Sequence, residues 1–221
     1  MYSRFGFWAA IVALVASLAY GVPQILQVMG ILVDPWDRIL IFLPSLILAP
    51  AFVLTMAAVH DAAPTAHRVW TTGALAIAVM YGTMVSIVYV VQLGSVIPHD
   101  IRGEGADFRL FACCGFGQPL TMIDLLGYTL MSLSTLLAAP AFRNAGLEAA
   151  ARFWLIANGV LAPFLIAQIA YPALIYVGAL WLITFPLAMV CVALVFRRRT
   201  PTRLELDTGL LNARIEVRRD A

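Results

Sequence analysis

Forty-four consecutive residues, Phe153 to Phe196, carry no formal charge. As one helix they would extend about 66 Å, roughly twice the ~30 Å hydrocarbon core of a bilayer. The run therefore has to cross twice. Tyr171-Pro172 is the natural divider, because proline cannot donate to the helical ladder. Three more charge-free runs are bounded by Arg4 and Asp34, by Arg38 and Asp61, and by Arg68 and Asp100. A further run, Pro119 to Phe142, is interrupted only by Asp124.

These runs predict an all-α polytopic membrane bundle of about six helices, at roughly 7–31, 38–60, 69–94, 119–142, 153–171 and 173–196. A long connection, 95–118, joins the third and fourth helices. Residues 1–196 form one membrane domain, and an arginine-rich tail occupies 197–221. Composition points the same way: 62% of the chain is hydrophobic and 12% charged, against about a quarter charged in soluble domains. Lipid must solvate much of this surface.

Arginine placement sets the expected orientation. With the N-terminus in the cytoplasm, inner segments hold Arg4, Arg68, Arg143, Arg152 and the seven arginines of the tail, eleven in all, against three outside, Arg38, Arg102 and Arg109. Cytoplasmic segments carry such an excess, and indole rings favour the interface. Trp8, Trp70 and Trp154 then lie at the inner interface and Trp36 at the outer one. Both termini are expected inside. The first span is too long for a secretory h-region and lacks a small-residue cleavage site after it, so it reads as retained.

Several chemistries are excluded by what is absent. All 14 basic residues are arginine, so no lysine can carry a retinal-type Schiff base. The same bias suggests a GC-rich bacterium and hence a bacterial inner membrane. A net charge of +2 gives nucleic acid no reason to bind. No histidine lies deep in a span, which disfavours haem held between helices. His60 and His67, flanking Asp61, read as an exposed loop and not as a metal site. H-E-x-x-H, C-x-x-C and phosphate-binding glycine loops do not occur. No cofactor and no resident metal is expected.

The remaining signal is polar spacing within the spans. Tyr20, Gln24 and Gln27 share one face of the first helix, and Tyr81, Tyr89 and Gln92 one face of the third. Asp124, Tyr128, Ser132 and Thr135 make a continuous stripe on the fourth, and Asn158 and Gln168 lie near one face of the fifth. Polar groups at membrane depth turn inward. Gln24, Gln27, Tyr89, Gln92, Asp124, Tyr128 and Gln168 all fall in the outer half, so together they are read as a ligand-binding set, with Asp124 at its centre and in reach of at least one glutamine. The alternative is that these groups only hydrogen-bond helix to helix, or that Asp124 is a favourable acid near a helix start.

Cys113-Cys114 lies in the apolar piece Leu110 to Phe116 of the long connection. The pair is open to a disulfide or to metal binding, but two buried free thiols is the reading adopted, since Cys191 is too distant to join them. Two functions follow from different classes. One is small-molecule binding or transport through an outward-facing cavity centred on Asp124. The other is an accessory subunit that docks on a larger membrane complex and has no ligand of its own. No nucleophile or acid–base pair points to an enzyme. The lipid bilayer, a small molecule and other membrane subunits are the partners these readings imply.

Overall fold

The computed structural model describes residues 2–198. It is all-helical, with no strand among those residues and six stretches long and apolar enough to cross a membrane. The chain is thus a multi-pass membrane protein. The long helices are α1 (Tyr2–Val28), α2 (Trp36–Asp61), α3 (Arg68–Val91), α4 (Pro119–Ala138), α5 (Gly146–Gly159) and α6 (Trp181–Arg198). Each packs against the next in sequence, and α6 returns to pack on α1. The result is a closed ring of helices.

In α1 the ring is legible residue by residue. Gly6, Ala10, Ala13, Ser17 and Gly21 recur every three or four positions and are buried, while Trp8, Val12, Val15, Val22 and Ile25 are exposed on the other side. In lipid a large apolar side chain gains nothing by turning inward, whereas small ones let backbones approach. The Phe196 ring of α6 lies over Gly6 so closely that a Cβ there would fall 2.8 Å from it.

The axis of the ring is filled by aromatic side chains from four helices. Phe52 of α2 meets Tyr81 of α3 (ring centroids 5.6 Å apart), and Tyr81 meets Tyr128 of α4 (6.3 Å). Tyr128 meets Trp181 of α6 (5.1 Å), Trp181 stacks on Phe185 (4.8 Å), and Phe185 returns to Phe52 (5.7 Å). The circuit is closed, and each such pair contributes about 0.5–1.5 kcal/mol beyond burial. Toward the end carrying Asp61 and Gly146, the Asn158 amide donates to Thr135 Oγ1 (3.1 Å) and its carbonyl accepts from Thr184 (3.0 Å), tying α4, α5 and α6 together. His60 Nδ1 lies 3.0 Å from Thr71 Oγ1. That histidine fastens α2 to α3 instead of standing in an open loop.

Two boundaries differ markedly from those expected. The third span continues past 94 through a π-helical turn, Gln92–Val96, to a short helix Ile97–Ile101. Asp100 lies in the last turn of that extension, where Arg38 Nη1 holds its carboxylate at 2.5 Å. The fifth span starts at Gly146 and not near 153; there Glu148 accepts from the Arg143 amide (2.9 Å) and guanidinium. Spans five and six part at Tyr171-Pro172, as read from the sequence, but both are also broken internally. The fifth breaks after Gly159, just ahead of Pro163, and resumes at Ala162–Ala167, while the sixth starts as short pieces, Pro172–Leu174 and Ile175–Gly178, before α6. Apart from Arg197 and Arg198, the arginine-rich tail lies outside the described residues.

Close helix approach makes one glycine critical. A Cβ on Gly159 would come within 2.5–3.0 Å of Leu136 Cβ and backbone, whereas one on Gly73 would meet only Leu137 Cδ1 at 3.6 Å. Gly159→Ala is expected to destabilise the bundle by about 1–3 kcal/mol through overpacking. Gly73→Ala should be neutral or slightly stabilising, from helix propensity. Thermal melts of both variants in the same detergent check this; equal melting temperatures would contradict it.

Candidate functional site

At the end of the bundle that carries the 95–118 connection, the ring of helices opens into a cavity of about 550 Å³. Its floor is the upper part of the aromatic circuit, Tyr128 and Trp181. Tyr20 of α1 packs on both, 6.4 Å from Tyr128 and 5.8 Å from Trp181. Phe42 and Tyr89, 5.7 Å apart, form a second aromatic wall. The opposite wall is the broken backbone of spans five and six, where Leu165, Gln168, Ile175 and Gly178 line the space. Irregular backbone at membrane depth is tolerated where it is buried in protein or lines a cavity.

Six of the seven residues grouped from the sequence line this one cavity: Gln24, Gln27, Tyr89, Asp124, Tyr128 and Gln168. Gln92 does not. It is fully buried and holds the long connection instead: its amide donates to the Phe111 carbonyl (2.7 Å) and its oxygen accepts from the Cys113 amide (3.1 Å). The π-helical turn beginning at Gln92 is a feature often found at functional positions.

The glutamines do not meet Asp124 as expected. Gln24 donates to Gln27 (3.0 Å), and Gln27 donates to Asp37 (2.8 Å), so the α1 pair is drawn toward the rim. Gln168 is buried beside Gly178, where a Cβ would fall 2.4 Å from its amide nitrogen. Tyr89 stands beside the Asp124 carboxyl, and its hydroxyl donates to Tyr128 (3.1 Å). Asp124 Oδ1 is buried with no hydrogen-bond partner, and so is Trp181 Nε1. Tyr81 Oη and Ser132 Oγ, deeper in the bundle, share that condition. An unsatisfied buried polar atom costs about 1–3 kcal/mol, and more if charged. Here an acceptor and a donor are both left unpaired in residues that line the cavity, Asp124 on α4 and Trp181 on α6.

The rim is negative. Arg38 is bound to Asp34 and Asp100, and Asp37 accepts from Gln27 and from the Arg38 amide. Two carboxylates thus bind the guanidinium, and a third, Asp37, is held by the Arg38 backbone amide beside it. Arg38 clamps the α1–α2 turn to the end of the extended third span, a role that spacing along the chain did not suggest. Trp181 was also missed. Its indole begins α6 within a charge-free run, where no periodic pattern marks it as facing a cavity.

Cys113 and Cys114 are joined as a vicinal disulfide, which corrects the expectation of two free thiols. Cys113 is buried against the cavity and Cys114 is exposed at its edge. Local attachment explains the placement: Gln92 holds the Cys113 amide, and the Gln118 side chain accepts from Gly115 (2.8 Å). One donor atom from each cysteine and from Asp124 come within 4.8 Å of one another. Sequence alone placed the pair in a loop and Asp124 in a helix, without bringing them together.

Gln92→Ala is expected to free the connection while leaving the bundle folded. Amide exchange in residues 108–118 should accelerate at least tenfold, with exchange in 119–138 unchanged. Hydrogen–deuterium exchange read by mass spectrometry checks this, and an unchanged rate in 108–118 would show that the glutamine does not anchor the loop.

Comparison with protein-family models, curated proteins and solved structures finds no match, so the chemistry of this cavity rests on the side chains that line it.

Proposed function

We propose that this chain binds a small organic cation, one with an apolar or aromatic body and a hydrogen-bond-donating positive head, in the cavity centred on Asp124. The observation that carries the reading is the buried, unpartnered Asp124 oxygen in a cavity walled by Tyr20, Tyr89, Tyr128 and Trp181. A carboxylate supplies the charge partner. Aromatic faces attract a desolvated cation by about 2 kcal/mol or more, and the acidic rim favours entry of positive ligands.

The cavity is read as facing outward, with both termini in the cytoplasm of a bacterial inner membrane, on the arginine excess and tryptophan placement described above. Beneath it the aromatic circuit and the Thr135–Asn158–Thr184 link close the bundle. This favours binding from one side; transport would require those contacts to part. The accessory-subunit reading is less well supported, because the small-residue face of α1 is turned into the bundle and is not displayed for docking.

Two experiments test the proposal. Protein purified in native lipid nanodiscs should retain a small cation detectable by mass spectrometry. Asp124→Asn should reduce its occupancy or affinity at least tenfold while the melting temperature is kept. That loss corresponds to a charge-assisted hydrogen bond of about 1.5–3 kcal/mol. Retention of bilayer lipid alone, or equal retention by the variant, would refute the reading. For orientation, single cysteines placed at Gly105 and Ala145 on a cysteine-free background should react with an impermeant reagent in intact cells only at the first position. The reverse pattern would invert the topology.

A further inference from the structure

The disulfide at the cavity edge and the carboxylate below it form a second chemical unit. Cys113 Sγ, Cys114 Sγ and an Asp124 oxygen are mutually within 4.8 Å. Ligands around a tetrahedral ion with metal–sulfur bonds of about 2.3 Å are spaced by roughly 3.8 Å, so the two sulfurs, bonded to each other here, have to move apart once the bond is reduced, while the carboxylate is already within reach of both. Asp124 Oδ1 is buried with no hydrogen-bond partner, and Tyr89 is the donor beside the carboxyl. The scaffold beneath is fixed: Gln92 holds the Cys113 amide, and Asp124 sits one turn into α4. Thr121, also on α4, places its hydroxyl 4.0 Å from Cys113 Sγ.

We infer that reduction of Cys113–Cys114 creates a site for one thiophilic divalent cation, held by both cysteine sulfurs and the Asp124 carboxylate. Softness selects the ion class: two thiolates favour zinc-like or softer cations over magnesium or calcium, which take oxygen ligands. The reaction balances in two steps. A dithiol reductant exchanges with the disulfide, so that the Cys113–Cys114 S–S bond breaks, the reductant becomes a disulfide and two thiols form. The ion then replaces both thiol protons, which leave to solvent as two metal–sulfur bonds form. Thiolates and not thiols are the ligands, so uptake weakens as pH falls. A fourth position stays open on the cavity side.

The site uses Asp124 in a different state of the protein from the one proposed above. With the disulfide intact, the carboxylate is available to an organic cation; with the pair reduced, it belongs to the metal. Each proposal therefore stands or falls separately.

The test uses Cd²⁺ as a spectroscopic thiophilic probe on the full chain in nanodiscs. The protein is reduced with a trialkylphosphine, which takes oxygen from water as the S–S bond breaks, and the reagent is removed without air. Reduced protein should bind one Cd²⁺ per chain with an ultraviolet thiolate-to-metal band, and release it to a chelator. The oxidised wild type is the folding control and should bind none. Cys191→Ser should bind as the wild type does. Cys114→Ser should lose the band, and Asp124→Asn should keep the band but bind at least tenfold more weakly. No band on the reduced wild type, or the same band in the oxidised protein, would overturn the site. Undiminished affinity in Asp124→Asn would overturn the three-ligand set. Organic-cation retention, measured on the oxidised protein, is read independently of all these outcomes.

Discussion

The closed aromatic circuit of Phe52, Tyr81, Tyr128, Trp181 and Phe185 is the contact on which the rest of this bundle depends. In a bilayer the hydrophobic effect no longer pulls helices together, because lipid tails are as apolar as the side chains they would replace. Dense contact has to do the work. Large flat rings from α2, α3, α4 and α6 meet at one level, with centroid separations between 4.8 and 6.3 Å, and fix those four helices at the axis. α1 joins through Tyr20 on the circuit and through its face of small residues against α2 and α6. α5 joins through Gly159 against α4 and through the Asn158 link.

That plug also creates the cavity. Below Tyr128 and Trp181 the axis is filled; above them the fifth and sixth spans dissolve into short helical pieces around Pro163 and Pro172 and leave space. The walls carry polar groups that the protein itself does not satisfy. Native interiors rarely leave buried polar atoms unpaired, and two of the unpaired atoms, Asp124 Oδ1 and Trp181 Nε1, belong to residues that line this cavity; that coincidence is what supports the proposed ligand.

The connection over this end is itself part of the site. Arg38 fastens it through Asp100, Gln92 fastens it through Phe111 and Cys113, and the vicinal disulfide sits between those anchors and Asp124. Rigid anchoring on both sides is what a binding constellation requires, since small displacements of donors are costly. The rim's three carboxylates, Asp34, Asp37 and Asp100, outnumber its one guanidinium and add a negative field at the entrance.

Much of this was legible from the chain. Charge-free runs gave six spans because an unpaired charge in hydrocarbon is costly, and Tyr171-Pro172 marked the break between the last two because proline cannot continue a helix. Helical spacing gathered Gln24, Gln27, Tyr89, Asp124, Tyr128 and Gln168, all of which line one cavity, since the face a polar residue occupies is set by 3.6-residue periodicity. Periodicity is silent about what lies opposite. It could not show that Gln92 binds loop backbone, that Gln27 turns to Asp37 and away from Asp124, or that Trp181 closes a circuit of rings. Nor could it show that Cys113 and Cys114 form a disulfide beside a carboxylate ten residues on. Those are facts of through-space distance between elements, decided by helix approach at glycines, by chain breaks at prolines and by the fold of one connection, and only the tertiary structure fixes them.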